Sequence, residues 1–485
     1  MPRAFCRCRE ISKSVSFFSS RAFFKCTKRR GLCRPARAFF PGRGRLFVYG
    51  ELFVKTSFKI AAAAAAVLAS VSSAHAAGFM LSEQSVAGLG RAYAGAGIVG
   101  DDLSAVWYNP AGMVLLPGTQ VQLGGVYVEL DLEYSGFDGT SENGRQSGVP
   151  IPNLFFTHQM NDSMWFGVGL TVPYGLATEY DRDWSNWKRG MNAEIKVFDL
   201  NPSFAWKVSD KLAIGAGISI QYADAKYETG SQFETPLGLF EGYGRLSADS
   251  LAWGGNIGIM WSPTENLRFG LAYRSQINHH AKGDLRLGQA ALHPGNSGYD
   301  GTFDNASASL SAPQTVLLTG TWEATPQLRI SALIRWADWS SFDSLGISAS
   351  DFHGNPMMEM ILASMGGSIS PDIDHKWQDT WLFTLGADYT INSAWTVRAG
   401  IGYETSPIDD ERYRTPLIPD ADRLWLSVGA TWHVTENLQG DFGFTWLHGV
   451  GGDALLYGNE NDAEPAGKYS TLDAYLFGAQ MVYRF

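Results

Sequence analysis

The chain ends in Tyr475-Leu476-Phe477-Gly478-Ala479-Gln480-Met481-Val482-Tyr483-Arg484-Phe485. Read with a period of two, one face carries Tyr475, Phe477, Ala479, Met481, Tyr483 and Phe485. The other carries Leu476, Gly478, Gln480, Val482 and Arg484. Aromatic residues at both ends of an apolar face suit a strand that crosses a bilayer and is anchored at each interface. A soluble β-sandwich has the same alternation, so the compartment has to decide between the two.

Residues Lys55 to Ala76 have the three parts of an export signal: Lys55 and Lys59, an apolar run from Ile60 to Val71, and the small-x-small triplet Ala74-His75-Ala76. The run is too short to span a bilayer as a helix, which takes about 20 residues. Cleavage is expected near Ala76/Ala77, and residues 54–76 are read as the signal peptide. Residues 1–53 hold all four cysteines, Cys6, Cys8, Cys26 and Cys33, and residues 1–76 carry 15 Lys+Arg against Glu10 and Glu51. With no accompanying His, the cysteine spacings suit no zinc site. Residues 1–53 are read as an upstream extension, with Val54 as the true start; finding residues 1–50 in the mature protein by N-terminal sequencing would refute this.

Removing residues 1–76 from the 485 leaves 409 residues with no cysteine and 23 basic against 46 acidic side chains. Such a chain is neither a disulfide scaffold nor a nucleic-acid binder, which needs a basic patch. The mature chain has no apolar stretch long enough for a spanning helix. It has instead many segments of about ten residues with alternating polarity, the pattern of a transmembrane β-barrel. With an export signal expected ahead of it, the closing strand ending in Phe485 resembles the recognition signal of bacterial outer-membrane proteins.

Six short polar connections recur: Asn161-Asp162, Ser209-Asp210, Thr264-Glu265-Asn266, Thr325-Pro326, Asn392-Ser393 and Thr435-Glu436-Asn437. Longer polar stretches near 134–150, 174–191, 227–244, 283–312, 341–375, 406–421 and 449–472 alternate with them. Six short turns and seven long loops give an all-β, antiparallel barrel of 14 strands over 118–485. The short turns lie on one side and the long loops on the other. A lumen of that size needs a plug or conducts. Residues 77–117, rich in Gly and Ala and closing on Asn109-Pro110-Ala111, are read as that plug, since irregular backbone is tolerated where protein surrounds it.

These residues resemble the FadL long-chain fatty acid transporters of the Gram-negative outer membrane. The resemblance runs from Ala77 to Phe485 and includes Ala77-Gly78-Phe79, Gly88-Leu89-Gly90-Arg91-Ala92-Tyr93, Asp101-Asp102 and Asn109-Pro110-Ala111. It continues with Tyr174 to Glu179, Tyr273-Arg274-Ser275, Trp339 to Phe342, Ser406-Pro407, Ile418 to Arg423 and Leu447-His448-Gly449. The resemblance implies an N-terminal hatch carrying Phe79, Asn109, Pro110 and Ala111. It further implies a hydrophobic luminal pocket reached from an outer groove, and sideways exit at a kink in the third strand, here about Ser163 to Pro173. The lateral-opening candidates are Pro173, Tyr174 and Gly175, because Pro donates nothing to a ladder and Gly permits unusual dihedrals; the alternative is that they simply end a strand. Arg423 is the candidate for a ligand carboxylate, with a loop ion pair to an acidic neighbour as its alternative. Arg274, Arg335 and Arg398 lie in strands whose facing is open.

The expected function is passive uptake of long-chain fatty acids, with aromatic hydrocarbons or alkanes as alternative cargo. No cofactor, metal or nucleic acid is expected. The expected partners are hydrophobic small molecules, outer-membrane lipid and lipopolysaccharide, and the barrel assembly machinery acting on the strand ending at Phe485; the expected state is a monomer. An outer-membrane hydrolase is the contrasting class. It lacks support because the chain has no G-x-S-x-G elbow and His279-His280, His433 and His448 lack triad spacing. Gly95 to Gly100 fits G-x-G-x-x-G but follows no strand, so it is plug backbone. The loop 341–375, with Met357, Met358, Met360 and Met365, forms either a short amphipathic helix or a segment packed on its neighbours.

Overall fold

The computed structural model describes residues 78–485 apart from 144–147, 182, 236–237, 290–299, 365 and 452. Ranges 1–53 and 54–76, Ala77 and Met365 lie outside the described residues. Fourteen antiparallel strands make the wall. They are β1 (Thr119–Gly136), β2 (Val149–Asn161), β3 (Met164–Glu179), β4 (Asn192–Ser209), β5 (Leu212–Thr235) and β6 (Gly238–Thr264). Next come β7 (Leu267–Arg274, continued as Ile277–Gln289), β8 (Gly301–Ala312, continued as Thr315–Glu323) and β9 (Leu328–Ala337, continued as Ser344–Gly354). The last are β10 (Thr380–Thr390), β11 (Trp395–Glu404), β12 (Arg423–His433), β13 (Leu438–Gly449) and β14 (Gly467–Arg484). The barrel closes where β14 pairs with β1 from Gln120↔Arg484 to Gly136↔Gly467.

The six short turns fall between β2–β3, β4–β5, β6–β7, β8–β9, β10–β11 and β12–β13, where the sequence places them. Several stretches that read as loops are strand. β5 and β6 run for 24 and 27 residues, about 80–90 Å at 3.3 Å per residue, far past a hydrocarbon core of about 30 Å. Beyond the membrane both faces of the hairpin tolerate polar side chains, so the alternation fades although the ladder continues.

The outward face is a lipid surface. On β14, Phe477, Met481, Tyr483 and Phe485 are exposed while Leu476, Gln480 and Val482 are buried, as their alternation predicts. Exposed aromatics form two belts, with Trp206, Trp261, Trp322 and Trp432 toward the short turns and Tyr127, Tyr222, Trp253 and Trp381 toward the long loops. Trp253 and Trp261 share one strand and one face, about 26 Å apart at strand rise, matching an apolar band of about 25 Å. Among the described residues no helix is long and apolar enough to cross a membrane.

The lumen holds the segment from Gly78 to Gly118. It folds as two single turns of helix, α1 (Val86–Leu89) and α2 (Ala105–Tyr108), and a 3-10 stretch, Pro110–Leu115. α1 packs against β12, β13, β14 and β1, and the 3-10 stretch against β3 to β6. The plug is therefore held from around the wall. In the loop after β9, α3 (Pro356–Ser364) buries Met358 and Leu362, one turn apart, and exposes Met357 and Met360. The two readings of this loop are both met, since it is a helix and it packs on neighbouring strand extensions.

Candidate functional site

Asn109-Pro110-Ala111 is a capping device. Asn109 Oδ1 accepts from the Ala111 amide (3.1 Å) and Asn109 Nδ2 donates to the Ile259 carbonyl on β6 (3.1 Å). Pro110 sits at the first position of the 3-10 stretch, where its missing N–H is no loss. The wall admits this turn through small residues: a Cβ on Gly258 would lie 2.0 Å from Asn109 Oδ1. Inward-facing glycines on strands mark close backbone approach, and Gly258 is such a mark in the sequence of β6.

Arginines from three strands reach inward and clasp the plug. Arg274 donates to the Trp107 carbonyl (2.9 Å), lies over the Trp107 ring and pairs with Asp199 (3.4 Å). Arg335 donates to Ser82 Oγ (2.7 Å) and Glu404 (2.5 Å). Arg398 meets Asp388 (2.8 Å), Asp101 (3.3 Å) and Asp441 (3.4 Å), while Arg91 of the plug meets Asp101 (2.6 Å) and Asp388 (3.3 Å). All three strand arginines face the lumen.

The plug's leading end is set in an aromatic box. The Phe79 ring is wholly buried, with Trp339 at 4.7 Å, Phe342 at 5.7 Å, Trp377 at 5.9 Å and Tyr174 at 6.1 Å between centroids. Gly78 before it has φ +63°, and a Cβ there would lie 2.7 Å from Trp377. Its amide donates to Asp420 Oδ2 (2.8 Å), which also accepts from Arg423 Nη2 (2.6 Å). Arg423 is thus engaged by an acidic loop neighbour, and its Nη1 has no hydrogen-bond partner among the described residues.

Burial pushes the Asp420 carboxyl up to about 6, the Glu404 charge adds to the rise, and Arg423 opposes it. As pH falls, the folded chain takes up this proton before the unfolded one does. By linkage this favours the folded state between about pH 6 and the ordinary value of 3.8. The bonds to Gly78 and Arg423 weaken in the same window because they lose their charge. The emission of the nearby Trp339 and Trp377 is expected to show a transition near pH 6 that is absent in Asp420→Asn. An unchanged transition in that variant would refute the assignment.

Pro173, Tyr174 and Gly175 do not end β3, which continues to Glu179. They form a bulge: the β3–β4 register shifts between Thr171 and Tyr174. Pairing of β3 with β2 stops at Leu154↔Leu170, although β2 stays paired with β1 as far as Val149. The wall is therefore unzipped between β2 and β3 above that point. The plug fills the place of β2, with the Leu81 amide bonded to the Pro173 carbonyl (2.8 Å) and the Gly175 amide to the Phe79 carbonyl (2.9 Å).

An outer groove of about 740 Å³ opens among the strand extensions, walled by Leu246, Leu285, Leu287, Ile347, Ile369 and Ile373, with the charged Lys188, Arg189, Arg412, Asp372, Asp374 and Glu460 also lining it. Arg189 donates to the Arg412 and Arg414 carbonyls (3.2 and 3.0 Å) and has no carboxylate in ion-pair range among the described residues. Burial lowers its pKa. The apolar cluster around this groove and that around Phe79 share Tyr227 and Leu345. Deeper, between Tyr93, Tyr108, Arg274 and Arg335, the lumen holds a cavity of only about 40 Å³, room for a few waters.

Ser250 Oγ meets His279 Nδ1 (2.8 Å), but His279 Nε2 faces Gln221 (3.1 Å) and not a carboxylate, so this contact is not a catalytic triad.

A model of outer membrane transport proteins (OMPP1/FadL/TodX) matches residues 66–485. The long-chain fatty acid transport protein of Escherichia coli O6:H1 is 30% identical over 471 residues, covering 89% of this chain and 99% of that protein. Outer membrane protein P1 of Haemophilus influenzae is 29% identical, covering 80% and 89%. Among solved structures, a Pseudomonas aeruginosa FadL homologue superimposes with a TM-score of 0.73 at 25% identity, covering 84% of this chain and all of that one. The Pseudomonas putida toluene transporter TodX shares the fold, with a TM-score of 0.62 at 18% identity, covering 79% of this chain and 94% of that one. With its 14-stranded barrel, its luminal plug and these matches, the chain belongs to the OMPP1/FadL/TodX family of outer-membrane transport proteins.

Proposed function

We propose that the protein takes up long-chain fatty acids passively, through a plug-gated hydrophobic pocket with lateral exit between β2 and β3. The observation that carries the reading is the outer groove, where apolar walls meet Arg189, a half-buried guanidinium with no carboxylate in ion-pair range among the described residues, although Asp372, Asp374 and Glu460 line the same groove. That arrangement fits an amphiphile with an anionic head. Each buried CH₂ of a tail contributes about 0.8 kcal/mol, so a chain passes from groove to aromatic box to bilayer without entering water. The deep cavity is too small for a tail, so the plug moves to admit one. Arg189 takes the role of carboxylate ligand in the groove, and Arg423 with Asp420 anchors the plug.

The same reading has the signal peptide cleaved near Ala76/Ala77, the barrel inserted by the assembly machinery through the strand ending at Phe485, and a monomer surrounded by lipopolysaccharide. Uptake of neutral aromatic hydrocarbons by this route is the second reading, favoured by the four rings around Phe79.

Arg189→Met separates the two. A charge-assisted hydrogen bond contributes about 1.5–3 kcal/mol, so fatty acid affinity is expected to fall about 10- to 100-fold while toluene affinity stays within twofold. Titration of the purified protein with each ligand measures this. Equal losses for both ligands, or none for the acid, would remove Arg189 from the head-group role.

A further inference from the structure

β2 carries a pattern that the family resemblance does not use: Val149-Pro150-Ile151-Pro152-Asn153. The direction of its amides follows from the register. The Gln159 amide donates to the Gly118 carbonyl beside β1 (2.8 Å), and the β1–β2 pairing runs from His158 to Val149 without a shift. Successive residues of a strand point their backbone groups to opposite neighbours. Odd-numbered amides of β2 therefore face β1, and even-numbered positions face β3. Pro150 and Pro152 are both even, so the β2 edge that looks onto the unzipped gap has no N–H to offer at either position.

The facing edge of β3 is placed by the same argument. The Lys207 amide on β4 donates to the Ser163 carbonyl, so odd positions of β3 face β4 before the bulge. After the bulge Tyr174 pairs with Val197, and the odd positions turn to the gap. Pro173 and Gly175 are there, bonded to Leu81 and Phe79 of the plug. β3 thus offers a usable edge that the plug occupies, while β2 offers a donor-free edge that nothing in β3 pairs with.

We propose that Pro150 and Pro152 are guard residues that stop β2 and β3 from zipping together when the plug lets go of β3. Two bare strand edges side by side otherwise pair, and a released gate would then seal instead of opening to the bilayer. The device rests on the lateral-exit reading above, and it positions the exit without touching cargo.

The test uses full-length protein in liposomes, with the plug edge released by Phe79→Ala. Pro150→Val and Pro152→Val are added singly and together, and heat-modifiable gel mobility checks that each barrel is folded. Exchange of the gap-facing Gly175 and Ala177 amides and fatty acid uptake are both read. The proposal expects exchange at these amides to slow at least tenfold in the triple variant relative to Phe79→Ala, with uptake falling at least fivefold. Unchanged exchange in folded triple and single variants would overturn it. Slowed exchange with unchanged uptake would uphold the guard and refute lateral exit instead.

Discussion

Replacing Phe79 with alanine is expected to raise fatty acid uptake about tenfold or more while leaving the barrel folded. The ring is fully buried among Trp339, Phe342, Trp377 and Tyr174, and truncating a Phe in such a setting costs about 3–5 kcal/mol. The rest of the plug's leading end is held by three bonds: Gly78 to Asp420, Leu81 to Pro173 and Gly175 to Phe79. Ordinary hydrogen bonds contribute about 1 kcal/mol each and one to a charged carboxylate about 1.5–3 kcal/mol, so the ring is the largest single term in seating this end. If plug movement limits a passive flux, tipping the seated state by a few kcal/mol raises the open fraction and the rate with it. Uptake into proteoliposomes measures the rate, and exchange of the Gly175 amide reports unseating. A rate within twofold of the parent, or a slower one, would show that the plug's end does not gate.

Arg398→Met is expected to lose about 3–5 kcal/mol of stability, the cost of leaving a buried charge without its partner. Arg398 touches Asp388, Asp441 and Asp101, and both Asp388 and Asp441 are nearly inaccessible. Arg91 remains for Asp101 and Asp388, but Asp441 keeps no cation in range among the described residues. Chemical denaturation of the refolded barrel measures the loss. Asp441→Asn in the same chain is expected to recover a substantial part, because it removes the stranded charge. A loss under about 0.5 kcal/mol, the range of ordinary surface changes, would mean that the network does not hold the plug to the wall.

Much of this architecture was legible in the chain. Short turns such as Asn161-Asp162 and Thr435-Glu436-Asn437 stand out because a hairpin on a membrane face needs polar, turn-forming residues between apolar runs. The facing of β14 followed from its period of two, because one face meets lipid and the other the lumen. Residues 227–244 read as loop because the ladder there runs through water, where the alternation that betrays a strand is no longer selected. The facing of Arg274, Arg335 and Arg398 stayed open because a polar lumen and a polar interface accept the same side chain.

What the sequence by itself determined is the container: export, a strand count, a lipid face and a Gly-rich segment that something must enclose. Those properties depend on local periodicity and on partition between water and lipid, which neighbours in the chain encode. Tertiary structure alone decided how the plug is held and where the wall is open. Asp420 ties Arg423 to Gly78, which lies 342 positions before Asp420 in the chain, and along the β2–β3 gap Phe79 and Leu81 bond the β3 edge at Gly175 and Pro173. Contacts between residues so far apart leave no periodic trace. Only the donor-free prolines at 150 and 152 stand in the sequence as its local mark, and they could be read only once the direction of their missing amides was known.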